Sequence, residues 1–172
     1  SLFKLTKDEY TYLMDIIRDK NPRSKINSDA EQYERKDFLK DVFMSKDNLE
    51  DLLSLLQHKQ NIILQGPPGV GKTYAAKRLA YVMMHEVDKD RIKFIQFHQN
   101  STYEDFVMGY KPRVDGDGFF LKEGIFYNFC IKANNDPDRP YFFIIYEINI
   151  GNISKIFGEL LMLIETKIAS SN

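Results

Sequence analysis

A glycine-rich run between a β-type segment and a helical one constrains this chain more than any other feature. The run reads Gly66-Pro67-Pro68-Gly69-Val70-Gly71-Lys72-Thr73, which matches the pattern G-x-x-x-x-G-K-[ST] in full. Glycines at these positions allow successive backbone N–H groups to point inward at phosphate oxygens, and a helix that follows adds the positive end of its dipole. Lys72 is then placed to neutralise the outer phosphates, and the Thr73 hydroxyl to ligate Mg²⁺. The spacing therefore predicts a nucleoside-triphosphate site formed by Gly66 through Tyr74.

Size and composition narrow the class of protein further. The chain has 172 residues, of which 43% are hydrophobic, and its net charge is -1. This balance gives no global reason to bind nucleic acid or an anionic membrane. Cys130 is the single cysteine, and the three histidines are scattered, so neither a disulfide scaffold nor a metal-ligand spacing is present. We expect a soluble cytoplasmic protein in which Cys130 is a small core residue. The start at Ser1, without an initiator Met, suggests a fragment.

The order of segments predicts an α/β fold with two parts. Residues 1–59 form an N-terminal helical segment, with helices around 12–17, around 38–43 and from Ser45 to Lys59. Residues 60–172 form a partial three-layer P-loop core with a parallel sheet. Its predicted strands cover 61–65, 92–97 and 140–145, and its predicted helices cover 71–84, 123–134 and 153–165. Two short extended pieces around an Asp-Gly turn are predicted between residues 111 and 121.

A second acidic position follows the apolar strand that ends near Ile145. P-loop enzymes place an Asp there for the magnesium shell and an adjacent Glu to activate water. This chain has Tyr146 and then Glu147. A phenol with a pKa of about 10 is a poor substitute for a carboxylate beside Mg²⁺. Glu147 and Lys72 are therefore the candidate catalytic residues, while magnesium affinity and turnover are expected to be weak.

Several sequence blocks together resemble the McrB-type AAA+ motors of modification-dependent restriction systems. Besides the phosphate loop, they are Gln96 to Phe106 with Gly109-Tyr110, Glu123 to Phe129, Glu147-Ile148-Asn149, and Asn152 to Glu159. The resemblance implies a ring of subunits with nucleotide held between neighbours, a nuclease subunit as partner, and the use of GTP in the family. It leaves the choice between ATP and GTP open here. No DNA-reading element is recognised in the chain.

Three departures from that family pattern matter. Tyr146 replaces the magnesium-shell Asp, Ile150 replaces an Arg, and the sequence stops before the family's sensor Asn, arginine finger and helical lid. The family's sheet has one more strand between residues 61–65 and 141–146. We therefore expect these two segments to pair directly or the chain to self-associate, with an unpaired arrangement least favoured.

Two further interpretations stay open at this stage. One is a catalytically impaired nucleotide-binding or assembly module, and the other is an AAA+ remodelling ATPase of the MoxR or dynein-related type. His98 is expected either near the nucleotide pocket or a neighbouring subunit, or simply as a hydrogen-bonded residue at a strand end.

Overall fold

The computed structural model describes residues 31–114, 116–158 and 160–161. The predicted helix around residues 12–17 and the predicted end of the last helix, beyond residue 161, lie outside this description. The elements, in chain order, are α1 (Arg35–Asp41), α2 (Lys46–Lys59), α3 (Lys72–Met84), a 3₁₀ turn (Lys89–Arg91), β1 (Ile92–Gln96), α4 (Tyr103–Phe106), β2 (Met108–Pro112), β3 (Phe119–Glu123), α5 (Ile125–Asn134), β4 (Phe142–Tyr146) and α6 (Ile153–Phe157).

The parallel pair β1 and β4 forms the centre of the fold. Its register runs from Ile92 opposite Phe142 to Gln96 opposite Tyr146. Because side chains alternate along a strand, the two faces of this sheet bury different residues. Phe94 and Ile144 pack in one hydrophobic cluster with residues of α1, α2 and α3. Ile95 and Ile145 pack in a second cluster with residues of α4, α5 and α6.

Helices therefore cover both faces of the sheet, as the predicted three-layer α/β class requires. The aromatic residues of the second cluster lie close together: the Phe106 and Phe126 rings stack with their centres 5.0 Å apart, and Phe106 meets the edge of Phe143. This packing fixes α4 and α5 against the sheet on the side opposite α3.

The predicted strand at Asn61 to Gln65 is wrong. These residues form no strand, and the Ile63 side chain is 73% exposed. A strand needs a hydrogen-bonded neighbour, and among the described residues β4 pairs only with β1. Ile62 nevertheless packs against the first cluster. Direct pairing with residues 141–146, one of the two expected outcomes, is therefore also wrong. The other expected outcome, self-association of the chain, stays a prediction.

The two N-terminal helices differ in how well periodicity predicted them. Helix α2 starts as expected, since the Ser45 hydroxyl accepts a hydrogen bond from the Asn48 amide at 3.2 Å. Helix α1 ends at Asp41, and Val42 is already extended with φ -122° and ψ 126°. Phe43, which the predicted helix around residues 38–43 includes, lies outside α1 and is fully exposed. The helical spacing continued for two residues beyond the helix itself.

Between β1 and β4 the chain forms α4, an antiparallel hairpin of β2 and β3, and α5. The hairpin confirms the two predicted extended pieces, although Asp115 of the expected turn is outside the described residues. Cys130 on α5 is exposed, so its prediction as a core residue is wrong. None of the described helices is long and apolar enough to cross a membrane.

A buried arginine, Arg91, links several segments at the amino end of the β1–β4 sheet, opposite the edge where Glu147 lies. Arg91 is 1% exposed, and its Nε donates to Asp88 at 2.8 Å while its guanidinium pairs with Glu86. Its Nη1 lies 3.4 Å from the Pro140 carbonyl oxygen, just before β4. This network connects the segment that follows α3 with the strand that leads to Glu147.

Candidate nucleotide site

The phosphate loop has the backbone conformation that its glycines allow. Gly69 and Gly71 have φ values of 79° and 81°, and Gly66 has a φ of 154°. A Cβ added at Gly69 or Gly71 would meet nothing within 4 Å. Glycine is therefore required at these two positions by the left-handed backbone and not by lack of space. Gly71 is also the N-cap of α3, so the loop leads directly into the positive end of that helix.

Lys72 lies across this loop. Its ammonium donates to the carbonyl oxygens of Gly66 at 2.8 Å and Pro67 at 2.6 Å. The charge is thus held beside the backbone turn that the motif assigns to phosphate. Residues 66–71 and Thr73 are exposed, and the Thr73 hydroxyl belongs to the first turn of α3. The lysine therefore lies against the loop, and Thr73 follows it in the first turn of α3. The roles of these residues at phosphate and Mg²⁺ stay predictions.

Tyr74, the last of the predicted nucleotide contacts, belongs to a cluster that the sequence did not reveal. The Arg78 guanidinium carbon lies 3.1 Å from the centre of the Tyr74 ring. Arg78 also donates to Asp41 at 2.9 Å, and the Tyr33 hydroxyl donates to the same carboxylate oxygen at 2.7 Å. The hydrogen bond from Tyr33 contributes most to lowering the pKa of Asp41. This cluster attaches the N-terminal segment to the helix of the phosphate loop.

Glu147 occupies a strained position at the end of β4. Its φ is 55°, a left-handed value that costs a non-glycine residue on the order of 1–3 kcal/mol. Its carbonyl accepts from the Ile150 amide at 3.0 Å, and the preceding Tyr146 carbonyl accepts from Phe97 at 3.3 Å. The sharp turn therefore places Glu147 at the carboxyl edge of the sheet, beside the end of β1. Such outliers concentrate at functional sites.

His98 follows β1 at the same edge. Its backbone amide donates to the Ser101 hydroxyl at 2.9 Å, and the residue is exposed. Within the described part of the chain its imidazole ring has no hydrogen bond. The backbone bond agrees with a residue that closes a strand end, whereas a role for the ring at the nucleotide stays a prediction.

Magnesium fits this site only together with the nucleotide. The described residues contain no group of three His, Cys, Asp or Glu side chains able to hold a metal ion. Thr73 supplies one hydroxyl oxygen, and Tyr146, 36% exposed, stands where a carboxylate would complete the shell. Mg²⁺ commonly keeps several waters and takes its other oxygens from phosphates. The residues present thus suit an ion that arrives with its triphosphate.

Comparison with known proteins places these features in a family. Residues 61–172 match the family described as "AAA domain (dynein-related subfamily)". Residues 19–99 match a second family, "IstB-like ATP binding protein".

One curated relative aligns with most of the chain. It is the "Type IV methyl-directed restriction enzyme EcoKMcrB subunit" of Escherichia coli (strain K12), 51% identical over 138 residues. The alignment covers 80% of this chain and 30% of the relative. The chain thus spans less than a third of the relative's length. The chain belongs to the AAA domain family, and within that family its sequence is of the McrB type.

Proposed function

We propose that this chain is the nucleotide-binding module of an McrB-like AAA+ protein and holds a purine nucleoside triphosphate with Mg²⁺. The observation that carries the proposal is the loop itself: two glycines in left-handed conformation, a helix start at Gly71, and the Lys72 ammonium held over the loop carbonyls. The residues that contact the nucleotide are Gly66, Pro67, Pro68, Gly69, Val70, Gly71, Lys72, Thr73 and Tyr74.

Each part of the loop has a distinct task in this proposal. The backbone N–H groups and the start of α3 bind the phosphates, and Lys72 neutralises their charge. Thr73 supplies a ligand to Mg²⁺, which, when bound, offsets the negative charge that develops on the phosphoryl group. The match to the IstB-like ATP-binding family supports ATP, and the resemblance to McrB-type motors supports GTP, so both nucleotides belong in the test.

Hydrolysis requires the second half of the site, and there the chain is weaker. Glu147 is the proposed general base, because it is the carboxylate that the strained turn places after β4. Tyr146 provides no carboxylate for the magnesium shell, so we expect phosphate release by this chain to be slow. The same observation favours the second candidate, a module that binds nucleotide for assembly without efficient turnover.

The partners follow from the relatives and are part of the proposal. The related Escherichia coli protein is named as a subunit of a methyl-directed restriction enzyme. We propose that this chain self-associates in an AAA+ ring, serves a restriction system with a nuclease subunit, and acts in the cytoplasm. Reading of DNA is left to another part of such a system.

Calorimetric titration of the 172-residue chain with non-hydrolysable ATP and GTP analogues, in the presence of Mg²⁺, tests the proposal. Lys72→Ala removes hydrogen bonds to charged oxygens worth about 1.5–3 kcal/mol, or roughly 10–150-fold in affinity. Lys46→Ala is the matched control, since Lys46 is an exposed lysine in the first turn of α2. Absence of binding by the wild type, or equal binding by the wild type and the Lys72 variant, would contradict the proposal.

A further inference from the structure

The Tyr74 ring lies close to the phosphate loop and is partly open to solvent. Tyr74 is the third residue of α3, about 4.5 Å along the helix axis from Gly71. Because Cα–Cβ bonds tilt toward the amino end of a helix, the ring lies on the side of the loop. The residue is 46% exposed. A ligand bound at the loop can therefore reach this ring.

Arg78 covers one face of that ring. It follows Tyr74 by four residues, so the two side chains lie on the same side of α3. The guanidinium carbon is 3.1 Å from the ring centre, well within the distance of about 6 Å at which a cation and a ring attract. Within the described part of the chain, no second ring or cation stacks on Tyr74. The opposite face of the ring is therefore open to a ligand.

The Arg78 guanidinium is itself held by the hydrophobic core. Its Nε donates to Asp41 at 2.9 Å, and the Tyr33 hydroxyl donates to the same carboxylate oxygen at 2.7 Å. Tyr33 is buried, its ring meets the edge of Tyr81 at 5.5 Å, and its amide donates to the His85 carbonyl at 3.2 Å. A continuous set of contacts therefore leads from the core to the Tyr74 ring.

An open aromatic face with a cation behind it suits a flat aromatic ligand. Nucleic-acid bases stack on aromatic side chains, whichever base is present. Ring faces are negative, and their repulsion disfavours direct face-to-face stacking. The guanidinium on the far face of Tyr74 reduces this repulsion. Since the loop itself takes the phosphates, the part of a nucleotide left for Tyr74 is its base.

We propose that the open face of Tyr74 stacks on the base of the bound nucleotide, and that Arg78, held by Asp41 and Tyr33, is the positioning residue for that ring. The inference rests on the proposed nucleotide-binding function and adds which part of the nucleotide Tyr74 contacts. Stacking does not read the edge of a base, so this contact holds adenine and guanine equally. It adds affinity for the base and none for the phosphates.

Calorimetry with three probes tests the stacking: non-hydrolysable ATP and GTP analogues and inorganic tripolyphosphate, which has no base, all with Mg²⁺. Tyr74→Ala should weaken binding of both nucleotides about 5–150-fold and leave tripolyphosphate binding unchanged. Tyr74→Phe keeps the ring and should bind all three probes like the wild type. Tyr110→Ala, at a tyrosine of β2 that is 72% exposed, is the matched control and should change none of the affinities.

The positioning role of Arg78 is tested in the same way. Arg78→Ala should weaken nucleotide binding about 2–30-fold, the range of a cation over a ring, and leave tripolyphosphate binding unchanged. Asp41→Ala should act in the same direction. In a Tyr74→Ala background neither substitution should cause a further loss, because both act through the ring. A cluster that only attaches the N-terminal segment would not distinguish probes with a base from the probe without one.

A fluorescence measurement keeps the proposal testable if the alanine variants fail to fold. The chain contains no tryptophan, so Tyr74→Trp introduces a single tryptophan signal and keeps an aromatic ring at the site. Its emission should change when either nucleotide analogue binds and stay constant with tripolyphosphate. Tyr110→Trp, the matched control, should respond to none of the three probes.

The outcomes separate this inference from the function on which it rests. If the wild type binds neither the nucleotides nor tripolyphosphate, the proposed function fails and the stacking fails with it. If Tyr74→Ala weakens all three probes equally or none of them, the stacking is overturned while the phosphate loop stands. Nucleotide binding by Arg78→Ala that equals the wild type, or further loss in the Tyr74→Ala background, would overturn the positioning role.

Discussion

The phosphate loop and the Glu147 edge are the two halves of one site, yet they depend on different parts of the molecule. The loop takes its shape from its own glycines, with φ values of 79° at Gly69 and 81° at Gly71, and from a lysine that bonds within the loop. The Glu147 edge takes its place from β4, its pairing with β1 and a strained turn. The phosphate loop, the nucleotide-binding half of the site, is thus shaped by its own local sequence. The Glu147 edge, the hydrolytic half, depends on the sheet for its position and has Tyr146 where a carboxylate is needed.

The largest effect is predicted for a substitution that disconnects the segment after α3, the helix of the phosphate loop, from β4, the strand that leads to Glu147. Arg91→Ala removes the buried guanidinium that joins Glu86 and Asp88 to the start of β4. Breaking a buried pair leaves uncompensated charge and costs about 3–5 kcal/mol. We expect chemical denaturation to show that the free energy of unfolding falls by this amount.

The control for that experiment is Arg35→Ala. Arg35 pairs with Glu50 at 2.8 Å, but both side chains are about half exposed, so the loss should be at most about 1 kcal/mol. Equal losses for the two variants would mean that the Arg91 network does not hold the sheet to the loop helix.

A second prediction supplies what the hydrolytic half lacks. Tyr146→Asp adds a carboxylate at the end of β4, next to Glu147. Metal affinity commonly changes 10–100-fold when a supporting ligand is altered. We therefore expect the ratio of nucleotide affinity with Mg²⁺ to nucleotide affinity without Mg²⁺ to be about tenfold larger, or more, in the variant than in the wild type. Titration with and without Mg²⁺ measures it. If the variant and the wild type respond identically to Mg²⁺, Tyr146 does not occupy the position assigned to it.

A third prediction tests whether the loop conformation is local. Gly71→Ala places a Cβ on a residue with a φ of 81°, which costs about 1–2 kcal/mol in the left-handed region. We expect nucleotide affinity to fall roughly 5–30-fold. Gly116→Ala is the control, because Gly116 has no left-handed φ and open space around it. An undiminished affinity for Gly71→Ala would show that the loop adopts another conformation when it binds.

The smallest predicted effect is a pH dependence of fold stability that arises from Asp136, near the amino end of β4. The hydrogen bond from Arg139 contributes most to lowering the pKa of Asp136. A carboxyl group with a lowered folded pKa stabilises the fold above its unfolded value of about 3.9, and this contribution is lost as the pH falls. Thermal melts should therefore show decreasing stability below about pH 4. Asp136→Asn should flatten this decrease, and an unchanged pH profile would contradict the assignment.

The sequence predicted the elements whose causes are local. The Ser45 cap of α2, the apolar runs that form β1 and β4, and the loop that leads into α3 each depend on a few neighbouring residues, and each is confirmed as local structure. Residues 61–65 have the composition of a strand, but a strand exists only through its neighbour, and that neighbour is absent among the described residues.

The charged clusters around Arg91 and Asp41 could not be predicted from the sequence, because they also depend on contacts between separate segments. Arg91 meets Glu86 and the Pro140 carbonyl, and Asp41 meets Tyr33 and Arg78. The Arg91–Pro140 and Asp41–Arg78 contacts join residues that are 49 and 37 positions apart in sequence, and no spacing rule connects them.

The central claim is that this chain binds nucleotide through a complete loop while its hydrolytic half is deficient. Phosphate release by the purified chain, measured with ATP and with GTP at concentrations that saturate binding, tests it most directly. The account predicts a saturated site with release at the level of the Lys72→Ala variant. Rapid release that Lys72→Ala abolishes would contradict it, because Tyr146 would then be no obstacle to turnover.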